Sequence, residues 1–211
     1  MLALRAQVAQ ATRQRFNLSE YDVKEIQNML FYCYKAEVER RNMAFIQDDA
    51  TKERIEKVGK WLHSTNCKPG LLLYSDGCGT GKTTMARAVC TLIGYLHDSC
   101  YSDRKKSVRR VSALQLTKIY QDDPRYFNRL QNENLLFIDD LGVEPVNVKV
   151  FGNEFSPLTE LIYSRYDFNR WTLVSTNLNE EQIDERYGSR ISDRFNEMFE
   201  RIYFAGTSYR K

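Results

Sequence analysis

Residues 76–83 read Asp-Gly-Cys-Gly-Thr-Gly-Lys-Thr, between the apolar run Leu71–Ser75 and a segment from Lys82 to His97 with helical patterning. These eight residues fit the phosphate-binding pattern GxxxxGK[ST] everywhere except the first position, which is Asp76. Gly77, Gly79 and Gly81 leave the backbone free of Cβ atoms, so successive N–H groups can curl around phosphate oxygens. Lys82 is then placed to bridge the β- and γ-phosphates, and the Thr83 hydroxyl to hold Mg2+. The helix that starts there adds its positive end. Strand, loop and helix stand in the order the motif requires. Gly77, Cys78, Gly79, Thr80, Gly81, Lys82, Thr83 and Thr84 are the expected nucleotide contacts, with ATP and Mg2+ as the expected cofactors. Asp76 unsettles the entry to the loop, and Gly77 is expected to absorb the turn there.

Leu135-Leu136-Phe137-Ile138-Asp139-Asp140 supplies the second half of such a site. A buried strand pushes Asp139 out at its carboxyl end, beside the Mg2+ ion, and Asp140 is placed to polarise water. Many ATPases carry Glu at that second position, and the shorter Asp implies slow turnover. A further strand, Thr172–Ser175, ends in Thr176-Asn177, and an Asn there can orient the attacking water. The chain has no [NT]KxD run to read guanine.

The 211 residues correspond to one domain with something attached, or two small ones, at roughly 150 residues per domain. No stretch approaches the about 18 apolar residues of a membrane span, and the N-terminus lacks a secretory h-region. The five cysteines form no CxxC pair and only two histidines accompany them, which fits free thiols in a reducing, cytoplasmic compartment. The composition shifts at residues 64–70 (STNCKPG), dividing a helical arm, 1–66, from an alternating region, 67–211. In the arm, Ser19 and Asp22 resemble a capping box ahead of a Val23, Ile26, Leu30, Cys33 stripe. A second helix after Asp49 carries Ile55, Val58 and Leu62. Beyond residue 70, strands at 71–75, 108–112, 135–138, 171–175 and 202–204 alternate with helices, one of them opened by Pro157 and one capped by Asn179. That alternation predicts an α/β fold with a parallel, doubly wound sheet.

Taken together, GCGTGKTTMARA (77–88), LLFIDDLG (135–142), STNL (175–178), YGSRISDRF (187–195) and GTSYR (206–210) resemble AAA+ ATPases of the DnaC/DnaI helicase-loader and IstB-like group. The resemblance covers about residues 70–211 and not the arm. It implies sensor 1 at Asn177 and sensor 2 at Arg210. It also implies an arginine finger at Arg194, with Arg190 as the near alternative, reaching a neighbouring subunit's γ-phosphate. The commoner fate of a lone Arg is a surface salt bridge. The chain ends soon after these motifs, which implies a truncated helical lid.

Net charge is only +3, yet residues 101–110 carry five basic residues against one Asp. Arg104, Lys105, Lys106, Arg109 and Arg110 read either as a solvated loop or as phosphate contacts to single-stranded DNA. Lys118 and Tyr120 follow, where this group faces its channel, although Tyr120 is equally suited to core packing. The arm's Phe16, Tyr21, Phe31, Tyr32, Tyr34 and Phe45 either pack inside or form a docking surface, and in loaders this region binds the replicative helicase. Cys78 is expected to react with alkylating agents unless nucleotide shields it. The resemblance implies an ATP-dependent helicase loader acting on single-stranded DNA. The alternatives are an IstB-like transposition helper, which would bind duplex DNA, and a non-catalytic switch gated by ATP.

Overall fold

A computed structural model describes residues 15–98, 107–206, 208 and 209. Its elements run α1 (Val23–Glu39), α2 (Asp49–His63), β1 (Gly70–Tyr74), α3 (Lys82–Asp98), β2 (Arg109–Ser112), α4 (Ala113–Asp122) and α5 (Pro124–Asn132). Then follow β3 (Leu135–Leu141), β4 (Val148–Val150), β5 (Asn153–Phe155), α6 (Pro157–Asp167), β6 (Trp171–Thr176), α7 (Glu180–Tyr187), α8 (Ser189–Met198) and β7 (Phe199–Tyr203).

Five strands form one sheet in the order β2-β3-β6-β1-β7, every neighbouring pair parallel. The central strands are continuous apolar runs because both faces are covered. Successive side chains point to opposite faces, so each run divides between two cores. Leu71, Leu73, Leu135, Phe137 and Leu173 meet Met85, Val89, Leu92 and Ile93 of α3 on one face. Leu72, Leu136, Ile138 and Val174 meet Leu116, Phe127, Leu161 and Phe195 of the helices on the other.

The described part of the arm shares the first of these cores. Ile26, Leu30 and Tyr34 of α1 and Ile55, Val58, Trp61 and Leu62 of α2 are buried with the α3 residues. The cap of α1 is Asp22, not Ser19. Its side chain accepts from Lys24 N (2.8 Å), while Asp22 N donates to Glu25 (3.3 Å). The buried face is accordingly Ile26, Leu30, Tyr34 and Glu37, without Val23. Phe16, Tyr21, Phe31 and Phe45 pack half-buried against this core, whereas Tyr32 is 68% exposed.

Two findings lie beyond the sequence reading. The β4–β5 hairpin turns through Phe151 (φ +50°) and Gly152 (φ +85°). With three-residue strands and a Phe in place of Asn or Asp before Gly152, it carries only half of the usual hairpin signal. Arg165 is fully buried, donating to Thr172 Oγ1 (2.8 Å), Glu133 O (2.9 Å), Leu130 O (3.2 Å) and Trp171 O (2.6 Å). It ties the end of α5 to the start of β6, the strand that delivers Ser175 and Asn177. Among the described residues, no helix is long and apolar enough to cross a membrane.

Candidate nucleotide site

The loop after β1 opens at the carboxyl edge of the sheet, between the ends of β3 and β6 and the start of α3. Its left-handed residues are Gly79 (φ +82°) and Gly81 (φ +95°), where glycine avoids the Cβ penalty. Gly77 lies in the bend after β1 but is not among them, so the entry there needs no left-handed glycine. Instead the buried Ser75 holds the entry: its hydroxyl donates to Gly77 O (2.6 Å) and accepts from Thr80 Oγ1 (3.1 Å). Asp76 turns outward and accepts from Tyr203 OH (2.5 Å), so its side chain stays clear of the loop interior.

Lys82 is buried. Its Nζ donates to Gly77 O (2.9 Å), Asn177 Oδ1 (2.7 Å), Thr80 Oγ1 (3.3 Å) and Ser75. Thr83 Oγ1 donates to Asp139 Oδ1 at 2.8 Å, and Ser175 Oγ donates to the same oxygen at 2.6 Å. Arg87 lies 3.8 Å from Asp139 Oδ2. Asp140 follows in a register irregularity of β3, with φ +54°, its N–H donating to Ser175 Oγ (3.0 Å). Lys82, Thr83, Asp139, Asp140 and Asn177, assigned from three separate sequence blocks, therefore meet in one cleft. Cys78 sits exposed at its lip, its Sγ 3.6 Å from Asn177 Nδ2.

The cleft is lined by Cys78–Thr84, Asp140, Asn177 and Tyr209, and on its apolar side by Tyr34, Val38, Met43, Ala44, Phe45 and Ile46 of the arm. Sequence reasoning missed that wall, and its only trace was the arm's aromatic content. The residues fit a nucleotide and a hard cation. A Cβ on Gly81, where φ is +95°, would come within 2.6 Å of Tyr34 OH, so position 81 meets the cleft as glycine. Thr83 Oγ1 and Asp139 Oδ1 offer paired oxygens of the kind Mg2+ takes.

Other expected residues lie elsewhere. Arg190 and Arg194 of α8 do not line the cleft, and the Arg194 guanidinium stacks over Tyr163 (4.3 Å to the ring centroid) and Tyr166 (5.0 Å). Arg104, Lys105, Lys106 and Arg210 lie outside the described residues. Consecutive residues of β2 face opposite sides of the sheet, so Arg109 approaches Glu133 (3.6 Å) while Arg110 adjoins Cys90 and Glu37. Lys118 is exposed on α4. Tyr120 packs edge-on against Phe127 (4.7 Å) and donates to Glu160 (3.1 Å), so packing prevails over stacking on a base.

A parallel sheet in this strand order, with a glycine-rich loop after β1, paired acids at the end of β3 and a polar residue after β6, gives the chain the fold of AAA+ P-loop NTPases. In sequence it is similar to the replicative helicase loader DnaC of Escherichia coli (strain K12), 24% identical over 176 residues. The match takes in 80% of this chain and spans 63% of that relative's length. Among solved structures, the DnaC helicase loader superposes with a TM-score of 0.57 at 18% identity, over 77% of this chain and 94% of that one. DnaI gives 0.56 at 19%, over 79% and 88% of the two chains. The replication initiator DnaA bound to AMPPCP and single-stranded DNA gives 0.55 at 15%, over 77% and 49%. No family model matches the chain.

Proposed function

We propose that this chain binds and hydrolyses ATP and acts in DNA replication as a DnaC-like loader, placing or remodelling a replicative helicase on single-stranded DNA in the cytoplasm. The observation that carries the reading is the convergence of Lys82, Thr83, Asp139 and Asn177 in one glycine-lined cleft. Lys82 moves its ammonium from Gly77 O and Asn177 to the β- and γ-phosphates. Thr83 and Asp139 hold Mg2+, which when bound neutralises charge developing on the phosphate oxygens. Asp140 and Asn177 orient the attacking water. Ser175 keeps Asp139 in place by donating to the oxygen that Thr83 also contacts. The apolar wall from Tyr34 to Ile46 receives the base.

Arg194, or Arg190 one turn earlier, serves a neighbouring subunit in trans, a contribution worth about 10³–10⁵ in rate where arginine fingers operate. Arg210 completes its own subunit's site. Single-stranded DNA is held by the basic residues Arg104, Lys105, Lys106, Arg109, Arg110 and Lys118, and the helicase is gripped through residues 1–66.

The test is ATP turnover at low salt, with and without single-stranded and duplex DNA, using Lys82→Ala as the blank. Turnover stimulated by single strands and lost in Lys82→Ala supports the loader. A preference for duplex moves the assignment to a transposition helper. ATP binding without turnover above the blank leaves a nucleotide-gated switch.

A further inference from the structure

The phosphate loop is gripped by two parts of the chain outside it, helix α2 and the segment at Tyr209. Arg54 of α2 is 4% exposed. Its Nη1 donates to Thr80 O (3.3 Å) and to Tyr209 OH (3.5 Å), and its Nη2 donates to Ala205 O. Its guanidinium lies 4.6 Å over the Phe204 ring. Tyr209, beyond β7, donates its backbone N–H to Gly79 O (3.0 Å) and its hydroxyl to Asp48 (2.8 Å), the residue that caps α2. Two successive carbonyls of the loop, those of Gly79 and Thr80, are therefore held by groups from outside the loop.

That grip fixes the other edge of each peptide. A trans peptide is planar, with its C=O and N–H pointing in opposite directions. The Gly79 carbonyl shares its plane with the Thr80 N–H, and the Thr80 carbonyl shares its plane with the Gly81 N–H. Fixing both carbonyls fixes the direction of both N–H groups, and successive donors held in one orientation form an anion-binding concavity. We infer that Arg54 and the backbone of Tyr209 are positioning residues that pre-form the phosphate nest before nucleotide arrives. The arm and the segment after β7 thereby set the affinity for phosphate. The inference rests on the nucleotide reading above and deepens it.

Two variants separate positioning from mere stability. Arg54→Met keeps the stem over Phe204 and removes the donors. Tyr209→Pro, read against Tyr209→Ala, which loses the same ring and hydroxyl but keeps the N–H, isolates the backbone donor to Gly79 O, so the pair keeps the test available if Arg54→Met fails to fold. Binding of ATP, and of adenosine as a phosphate-free probe, is measured by calorimetry or competition, alongside thermal melting. In Arg54→Met the ATP dissociation constant is expected to rise about 10- to 100-fold, the worth of a charge-assisted hydrogen bond, with adenosine binding unchanged; in Tyr209→Pro it is expected to rise about 2- to 10-fold over Tyr209→Ala, the worth of a neutral one, with adenosine binding equal in that pair. Arg54→Lys, which can reach one carbonyl but lacks the planar fork, should fall between. Folded variants that bind ATP like the wild type, while Lys82→Ala abolishes binding, would overturn the nest and leave the nucleotide reading standing. A wild-type chain that binds no ATP would overturn both.

Discussion

Asp140 combines the water-orienting role proposed for it with a left-handed backbone, φ +54°, at the irregularity of β3. Comparing Asp140→Gly with Asp140→Ala isolates the backbone, because both variants lose the same carboxylate. An Ala Cβ in the left-handed region costs about 1–2 kcal/mol that glycine avoids. The Gly variant should therefore be the more stable of the two by about that amount. For a chain of 211 residues, this is a melting temperature higher by about 2–8 °C. Both variants should retain ATP binding through Lys82 and lose most turnover. Thermal unfolding and single-turnover hydrolysis on the same preparations read both effects. An Ala variant as stable as the Gly variant would refute the strain argument, and undiminished turnover would remove Asp140 from the chemistry.

Arg165→Met should cost about 3–5 kcal/mol, because the buried carbonyls at the end of α5 and the start of β6 lose a charged donor. Urea unfolding within about 1 kcal/mol of wild type would contradict that. Thiol alkylation followed by peptide mapping should find Cys78 labelled fast and protected by ATP, with Cys90 inert because burial pushes its thiol up to about 12. Equal labelling of Cys78 with and without ATP would sink the placement of that residue at the lip of the cleft. Burial, and then the neighbouring Tyr209, push Tyr34 up from 10.0 to about 12. The folded chain thus holds that proton where the unfolded chain has released it, so stability should fall as pH rises from about 10 to about 12. Tyr34→Phe should lessen the slope in an unfolding series across that window, and an unchanged slope would count against the assignment.

The parts of the fold legible in the sequence are those fixed by local pattern. Leu135–Ile138 reads as a strand buried on both faces because it is apolar without interruption, Trp171–Ser175 is nearly so, and Pro157 and Asn179 open helices where their side-chain chemistry places them. The residues at Lys82, Thr83, Asp139 and Asn177 were equally visible, since each stands at a strand end or helix start with its own signature. What could not be read depends on contacts between distant segments. Ser75 looks like any residue after a strand until Lys82 folds over it. Arg54 sits in a helix of ordinary solvated charge, and only the packing of α2 against Thr80 and Ala205 buries it. Ser19 and Asp22 both fit a helix cap, and Glu25, within reach of the Asp22 N–H, decides between them.

The packing of α1 sets how force can travel through the molecule. Ile26, Leu30 and Tyr34 seat this helix in the core beneath α3, and Tyr34 also forms part of the cleft wall against Gly81. Tyr32, on the same helix, is exposed. A protein that took hold of that outer surface would be separated from the phosphate loop by little more than the thickness of one helix, about 10 Å. Helix α1 is then a lever rather than a leash: a load applied to it would reach the cleft wall through Tyr34 as displacement.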